Sequence, residues 1–436
     1  MFGTDGIRGI PNKGFLTSDK LKRIGFSISK LIKDHDPDIK SIFIAKDTRK
    51  SCSFILENLK VGLNTGDIGI IDLDVLPTSA VSQFVLEYPK KFGLMITASH
   101  NSHEYNGIKI FNNFGEKISD NDQKKINSYF INAKKSKYKQ KKELNIIYKN
   151  AAYEYESMIL DKFENKFKSN LKIGIDLANG ASFKVTKNIL SKMGFNCIYV
   201  SANPSGSNIN FRCGVENTSK IKKLITKNNL DLGIAIDGDA DRVVFVDSKA
   251  HEIEGDKIIE FFSKKILKKG NTLVTTIMTN NIVEKNMLKN KVNVLKTDVG
   301  DRNVYFKMKE INSNFGGENS GHYIFRDYLK TSDANFTILN FIKYLKDKKD
   351  IDKFSNQNLY PSVLKSFDIK KKVPIKNIDF ITNFKKRFYN ENKDYYLNIR
   401  YSGTENKIRI LIQGKSNDII KKEIDLFGKL LIKNEI

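Results

Sequence analysis

Short apolar runs alternate with amphipathic helical stretches along most of this chain, and the cycle starts three times. The first set holds 41-SIFIA-45, 68-IGIIDLD-74 and 92-FGLMIT-97. The second holds 171-LKIGIDLANGAS-182, 196-NCIYVS-201 and 232-LGIAIDGDADRVVFVD-247. The third holds 272-TLVTT-276, 292-VNVLKTDVGDR-302 and 314-NFGGENSGHYIF-325. Strands that alternate with helices build α/β layers with largely parallel sheets. The shared layout predicts three similar mixed α/β domains. After about residue 365 the pattern changes. The stretch 395-YYLNIRYSGTENKIRILIQG-414 reads as two strands around a Ser-Gly-Thr loop, followed by a final helix. That is a smaller C-terminal α+β unit. Boundaries fall at 1–150, 151–250, 251–365 and 366–436, and the size of 436 residues agrees with several cores.

Bulk properties exclude some classes. No run of roughly 18 apolar residues exists, so no membrane span is expected. The start, MFGTDGIRG, lacks the basic and apolar regions of a signal peptide. Cys52, Cys197 and Cys213 are an odd set, far apart, with no CxxC, which fits a reducing cytoplasm. The formal net charge of +25 raises nucleic-acid binding. The excess, however, is dispersed Lys, and no nucleic-acid module signature accompanies it. The densest run, 134-KKSKYKQKKE-143, reads as a solvated helix or linker.

Arginine says more. Only ten of the 75 basic residues are Arg. Arg8, Arg49, Arg242, Arg302, Arg400 and Arg409 sit in or beside Gly- or Asp-rich segments. A guanidinium fork suits bidentate anions, so phosphorylated substrates are indicated. Pairing with structural carboxylates is the competing account for any one of them.

Five polar segments carry candidate chemistry. In 97-TASHNSHEYNGIK-109, Ser99 is presented at a strand's C-terminal end, where open α/β sheets bind ligands; a plain Ser-Asn-Gly turn is the alternative. In 237-DGDADR-242, three carboxylates alternate, and residues two apart in an extended chain are roughly 6–7 Å from one another. They converge only with local bending, which Gly238 permits. Hard oxygen ligands suit Mg²⁺; the EF-hand alternative lacks its twelfth-position Glu, since Ser248 stands there. In 316-GGENSGH-322, Glu318 and Ser320 are placed to read sugar hydroxyls or an amine, and His322 is a proton carrier or phosphate contact. In 400-RYSGTENKIR-409, Arg400, Ser402, Thr404 and Arg409 surround Gly403 in a pattern that suits a phosphate cradle; a hairpin turn with incidental charges is the alternative. In 3-GTDGIRG-9, Arg8 lies on a loop able to close over an anion. Together these imply phosphoryl transfer on a hydroxyl-rich small molecule in an interdomain cleft.

The five motifs, in this order and over nearly the full length, resemble the α-D-phosphohexomutases. The resemblance implies four domains around a central cleft and a phosphorylated Ser99 that donates to a sugar and is later rephosphorylated. It implies one Mg²⁺ held by Ser99, Asp237, Asp239 and Asp241, with Arg242 stabilising the transferring group. Arg8, Lys109 and His322 are then candidates for proton transfer and charge neutralisation. Glu318 and Ser320 would hold sugar hydroxyls. Residues 400–409 would hold the idle phosphate. The 203-NPSGSNINFRCG-214 segment and the Glu-Asn-Ser core of the sugar loop point to the amino-sugar branch. There, glucosamine 6-phosphate and glucosamine 1-phosphate interconvert through glucosamine 1,6-bisphosphate and feed UDP-N-acetylglucosamine and cell-wall synthesis. A homodimer, a phosphosugar substrate and no nucleic-acid partner complete the expectation. Mannose or glucose phosphates are the nearest alternative substrates. Departures from the family pattern are Ser102 and Asn406, where Pro is usual, and the segments 330-KTSDAN-335 and 213-CGVEN-217.

Overall fold

The computed structural model describes the chain apart from residues 4, 134–137, 139–144, 164–166, 346, 403–404 and 435–436. Most of the Lys-rich run at 134–143, and Gly403 and Thr404 of the phosphate cradle, therefore lie outside the described residues.

The first sheet has six strands: β1 (Ile7–Gly9), β2 (Ser41–Lys46), β3 (Gly69–Val75), β4 (Phe92–Ile96), β5 (Asn106–Phe111) and β6 (Asn145–Ile147), in the order β1-β5-β4-β2-β3-β6. The second contains β7 (Ile173–Asp176), β8 (Cys197–Val200), β9 (Leu232–Ile236), β10 (Val243–Asp247) and β11 (Glu252–Ile253), ordered β11-β10-β9-β7-β8. The third contains β12 (Thr272–Thr276), β13 (Asn293–Thr297), β14 (Phe315–Gly317) and β15 (Tyr323–Phe325), ordered β13-β12-β14-β15.

All three sheets share one plan. A parallel group ends on an antiparallel neighbour that follows it directly in the chain: β4–β5, β9–β10 and β14–β15. The sheets are thus mixed rather than uniformly parallel. The reason is local: a connection of a few residues can only return antiparallel, whereas a parallel return needs a crossover helix. The connections of these three hairpins are 97–105, 237–242 and 318–322, and each is one of the segments singled out for its chemistry. The fourth unit repeats the device. Strands β17 (Tyr396–Tyr401) and β18 (Lys407–Gln413) form an antiparallel hairpin, with β16 (Ser362–Asp368) on the far side of β18.

Apolar packing shows which parts share a core. One core cluster runs from Phe43 and Phe84 of the first unit through Ile175 and Ile234 of the second to Phe262 and Phe341 of the third. The C-terminal unit has a separate core around Phe384, Ile410 and Phe427. It touches the rest through polar contacts: Asn281 N–H donates to Gln413 Oε1 at 2.9 Å, and Gln413 Nε2 donates to the Met278 carbonyl at 3.3 Å. Among the described residues no helix is long and apolar enough to cross a membrane.

Candidate active site

The β9–β10 connection begins with a buried strand end. Its three carboxylates cannot reach water, so each needs a partner. Asp237, Asp239 and Asp241 are all fully buried, and one ligand atom from each lies within 4.8 Å of the others. The bend that brings them together is not made by Gly238, as its freedom suggested. Ala240 takes the left-handed conformation, with φ of 55°. Gly238 is required for space: a Cβ there would stand 2.7 Å from the Ser99 carbonyl oxygen. The glycine therefore lets the first and second hairpins touch.

At that contact Ser99 Oγ donates to Asp237 Oδ2 at 2.6 Å. Ser99 itself has φ of 51°. Thr78 donates to Asp239 Oδ2. The Lys109 ammonium bridges the trio, 2.7 Å from Asp239 Oδ2 and 2.6 Å from Asp241 Oδ2, and reaches Asp5 Oδ2 at 3.0 Å. Burial opposes its charge, but these carboxylates push Lys109 well above its ordinary range. Its surroundings favour charge neutralisation over proton abstraction. Burial and the neighbouring Asp241 and Asp239 charges push Asp237 well above the usual carboxylate range. Asp241 shifts the other way: burial resists, and Lys109 and His322 hold it well below.

These residues fit a divalent ion. Asp239 Oδ1 and Asp241 Oδ1 are buried without a hydrogen-bond partner; His322 Nε2 lies 3.3 Å from the latter without hydrogen-bond alignment. Lys109 and Thr78 occupy the Oδ2 atoms, so unclaimed oxygens remain where a hard cation needs them.

The third hairpin closes the set. His322 Nδ1 pairs with Glu318 Oε2 at 2.9 Å, and Glu318 Oε1 accepts the Gly300 N–H at 2.8 Å. Burial disfavours the imidazolium, yet Asp241 and Glu318 outweigh it, and His322 is pushed up to about 10. Arg242 Nε lies 3.3 Å from His322 Nε2. A cleft of about 660 Å³ opens here, lined by residues including Arg8, His100, Arg242, Glu318, Ser320 and His322. Ser99 and the aspartates are buried next to these lining residues: His100 meets Ser99, Arg242 meets Asp237 and His322 meets Asp241. The structure thus brings together Ser99, Asp237, Asp239, Asp241, Lys109, Arg242, His322, Glu318, Ser320 and Arg8. It does not bring Arg400, Ser402 or Arg409 to the cleft wall. They stay on the C-terminal hairpin.

Some neighbours have no signal in the local sequence. Lys117 joins Asp5 and Asp301 at 2.7 Å each, tying the N-terminal loop to the third unit. His100 Nδ1 is 3.3 Å from Ser99 Oγ. Burial, then Arg242 and Arg8, lower His100 to about 4, so a neutral ring faces the serine.

Comparison with known proteins gives the family. Residues 1–137, 153–250 and 254–360 match, respectively, the family models described as Phosphoglucomutase/phosphomannomutase, alpha/beta/alpha domains I, II and III. A curated phosphoglucosamine mutase from Campylobacter curvus is 32% identical, covering 99% of each chain. A phosphoglucomutase/phosphomannomutase family protein from Burkholderia thailandensis superposes with a TM-score of 0.82 at 18% identity, covering 99% of this chain and 98% of that one. The Aspergillus fumigatus N-acetylphosphoglucosamine mutase in complex with GlcNAc-6P and magnesium superposes with a TM-score of 0.61 at 16% identity, covering 90% and 83%. With three successive domain matches and full-length relatives above 30% identity, the chain belongs to the phosphoglucomutase/phosphomannomutase family, the α-D-phosphohexomutases.

Proposed function

We propose that this chain is an intramolecular phosphotransferase that interconverts glucosamine 6-phosphate and glucosamine 1-phosphate. The observation that carries the reading is Ser99 Oγ, 2.6 Å from Asp237 in a buried carboxylate trio. The amino sugar as substrate is supported by the full-length similarity to curated phosphoglucosamine mutases.

In this reading Ser99 Oγ carries a phosphoryl group. That group passes to the free hydroxyl of the bound hexose monophosphate: the Ser99 O–P bond breaks, a sugar O–P bond forms, and the hydroxyl proton ends, in net, on the leaving Ser99 Oγ. The resulting glucosamine 1,6-bisphosphate turns over in the cleft and returns its other phosphoryl group to Ser99. The phosphorylated Ser99 with Asp237, Asp239 and Asp241 would hold Mg²⁺, which when bound would supply charge neutralisation for the group in transit. Arg242 orients and screens that group from the cleft side. Lys109 and Arg8 balance charge around it. The imidazolium of His322, braced by Glu318, is a proton donor facing the same space. Glu318 and Ser320 read the sugar. Arg400, Ser402, Gly403, Thr404 and Arg409 hold the phosphate that is not reacting, which requires the C-terminal unit to close over the cleft and exclude water. A cytoplasmic setting fits the free thiols of Cys52, Cys197 and Cys213.

The test is kcat/KM with Mg²⁺ on the 6-phosphates of glucosamine, glucose and mannose, using protein shown by intact mass to carry one phosphoryl group. Preference for the amino sugar, lost in Ser99→Ala, is expected. Faster turnover of mannose or glucose phosphate would replace the substrate and keep the mechanism.

A further inference from the structure

Arg49 uses four of its five side-chain donors on one short stretch of chain. Its Nε donates to Asp47 Oδ2 at 2.8 Å. Nη1 donates to the carbonyls of Ser102 and Tyr105, the latter at 2.9 Å. Nη2 donates to the carbonyls of Ser99 at 2.9 Å and Asn101 at 2.8 Å. Five donors meet five acceptors, and the Arg49–Asp47 pair has no exposed side-chain surface. A loop that turns four carbonyls inward leaves acceptors that water cannot reach, and a planar fork is the one side chain with enough fixed donors to gather them.

Both backbone groups of Ser99 are held in this way. Asp47 Oδ2 also accepts from Thr97 Oγ1 at 2.7 Å, and Thr97 Oγ1 accepts the Ser99 N–H at 2.8 Å. On the other side, the Ser99 carbonyl is shared between Arg49 and Asn210 Nδ2, which lies 2.8 Å away. Asn210 belongs to the second unit and also holds the Asn101 carbonyl at 2.9 Å. The residue gripped between them has φ of 51°, a region costly to an L residue and kept only when its surroundings over-determine it. Release to ordinary backbone angles would swing Cβ and carry Oγ away from Asp237.

We infer that Arg49, assisted by Asn210, is a positioning residue that holds Ser99 in its left-handed conformation and so sets the place of its Oγ against Asp237. The inference rests on the reading of Ser99 as the phosphoryl carrier. Misplacement by about 1 Å costs on the order of 10²-fold in rate. Lysine in place of Arg49 keeps the charge and loses the fork.

The experiment compares wild type, Arg49→Lys and Asn210→Ala as full chains with Mg²⁺. It records kcat per phosphorylated molecule, KM, and amide hydrogen exchange over residues 97–106. Expected are a fall in kcat of about 10²-fold for Arg49→Lys and about tenfold for Asn210→Ala, with KM within about threefold. Faster exchange should be confined to residues 97–106. A variant whose phosphorylated molecules turn over at the wild-type rate, with only the folded fraction reduced, would overturn the inference. If Arg49→Lys does not fold, Asn210→Ala decides in the same way. Wild type inactive on every hexose phosphate would remove the phosphomutase reading, while unchanged exchange in the variants would remove the clamp.

Discussion

Arg400 and Arg409 occupy directly opposed positions on neighbouring antiparallel strands. Like charges placed so are destabilising by up to about 1 kcal/mol. Burial, and then Arg409, lower the pKa of Arg400, as expected of a cation facing a cation. The pair is tolerable in a protein that binds an anion there. In low salt without phosphate, Arg400→Gln should raise the melting temperature of the C-terminal unit by roughly 1–3 °C. The same variant should raise KM for the sugar phosphate at least about tenfold. Calorimetry beside steady-state kinetics reads both; a variant less stable and equally active would contradict the anion role.

Ser99→Ala removes the proposed carrier and one hydrogen bond. Turnover should fall by about 10⁴-fold or more, and intact mass should show no phosphoryl increment after incubation with a hexose bisphosphate. The melting temperature should change little. A Ser99→Ala variant that still accepts a phosphoryl group would relocate the carrier.

The aspartate trio separates two kinds of loss. EDTA should abolish activity reversibly, and Mg²⁺ at a hundredfold over its Kd should stabilise the chain by about 2.7 kcal/mol. Asp241→Asn leaves the buried Lys109 short of a carboxylate and should cost about 3 kcal/mol even without metal. It should also erase the response of the melting temperature to Mg²⁺. Equal metal responses in the variant and wild type would show that the ion binds elsewhere.

Asp256 gives a pH signature away from the chemistry. It accepts the Asn280 N–H at 2.7 Å, and burial pushes its carboxyl up to about 6. A carboxyl whose folded pKa exceeds its unfolded value adds stability below about pH 4, and that contribution is lost as pH rises through about 6. The loss is at most about 3 kcal/mol. Asp256→Asn should therefore melt higher than wild type at pH 7.5 and show little advantage at pH 4. An advantage that does not vary with pH would point to packing instead.

The residues legible in the sequence are those that share one hairpin connection. Ser99, the three aspartates and the Glu318–His322 pair each stand within a few positions of a strand end, so their chemistry and their local geometry are written side by side. The partners that orient them are not. Lys117 meets Asp301 across 184 residues of chain, and no local pattern encodes that meeting. Arg49 follows Asp47 and Thr48 in what reads as an ordinary polar turn; its clamp becomes visible only when the carbonyls of residues 99–105 are traced. Gly238 is legible as necessary for a different reason, because a glycine's flexibility and its lack of bulk leave the same letter. The alternation of strands and helices shows in the apolar pattern. The antiparallel edges of the sheets do not, because a strand's direction follows from the length of its connection.

Three sheets that each end on the same antiparallel return have a consequence for how such a protein can change. The proposed carrier, ion holder and sugar reader are separate inserts in separate frames, meeting through a few polar contacts above a shared apolar core. A lineage can therefore rewrite residues 319–321 to accept another hexose, while Glu318 and His322, which meets Asp241 and Arg242, stay with the phosphorylating apparatus. Diversification of substrate and preservation of chemistry are then carried by different stretches of the gene.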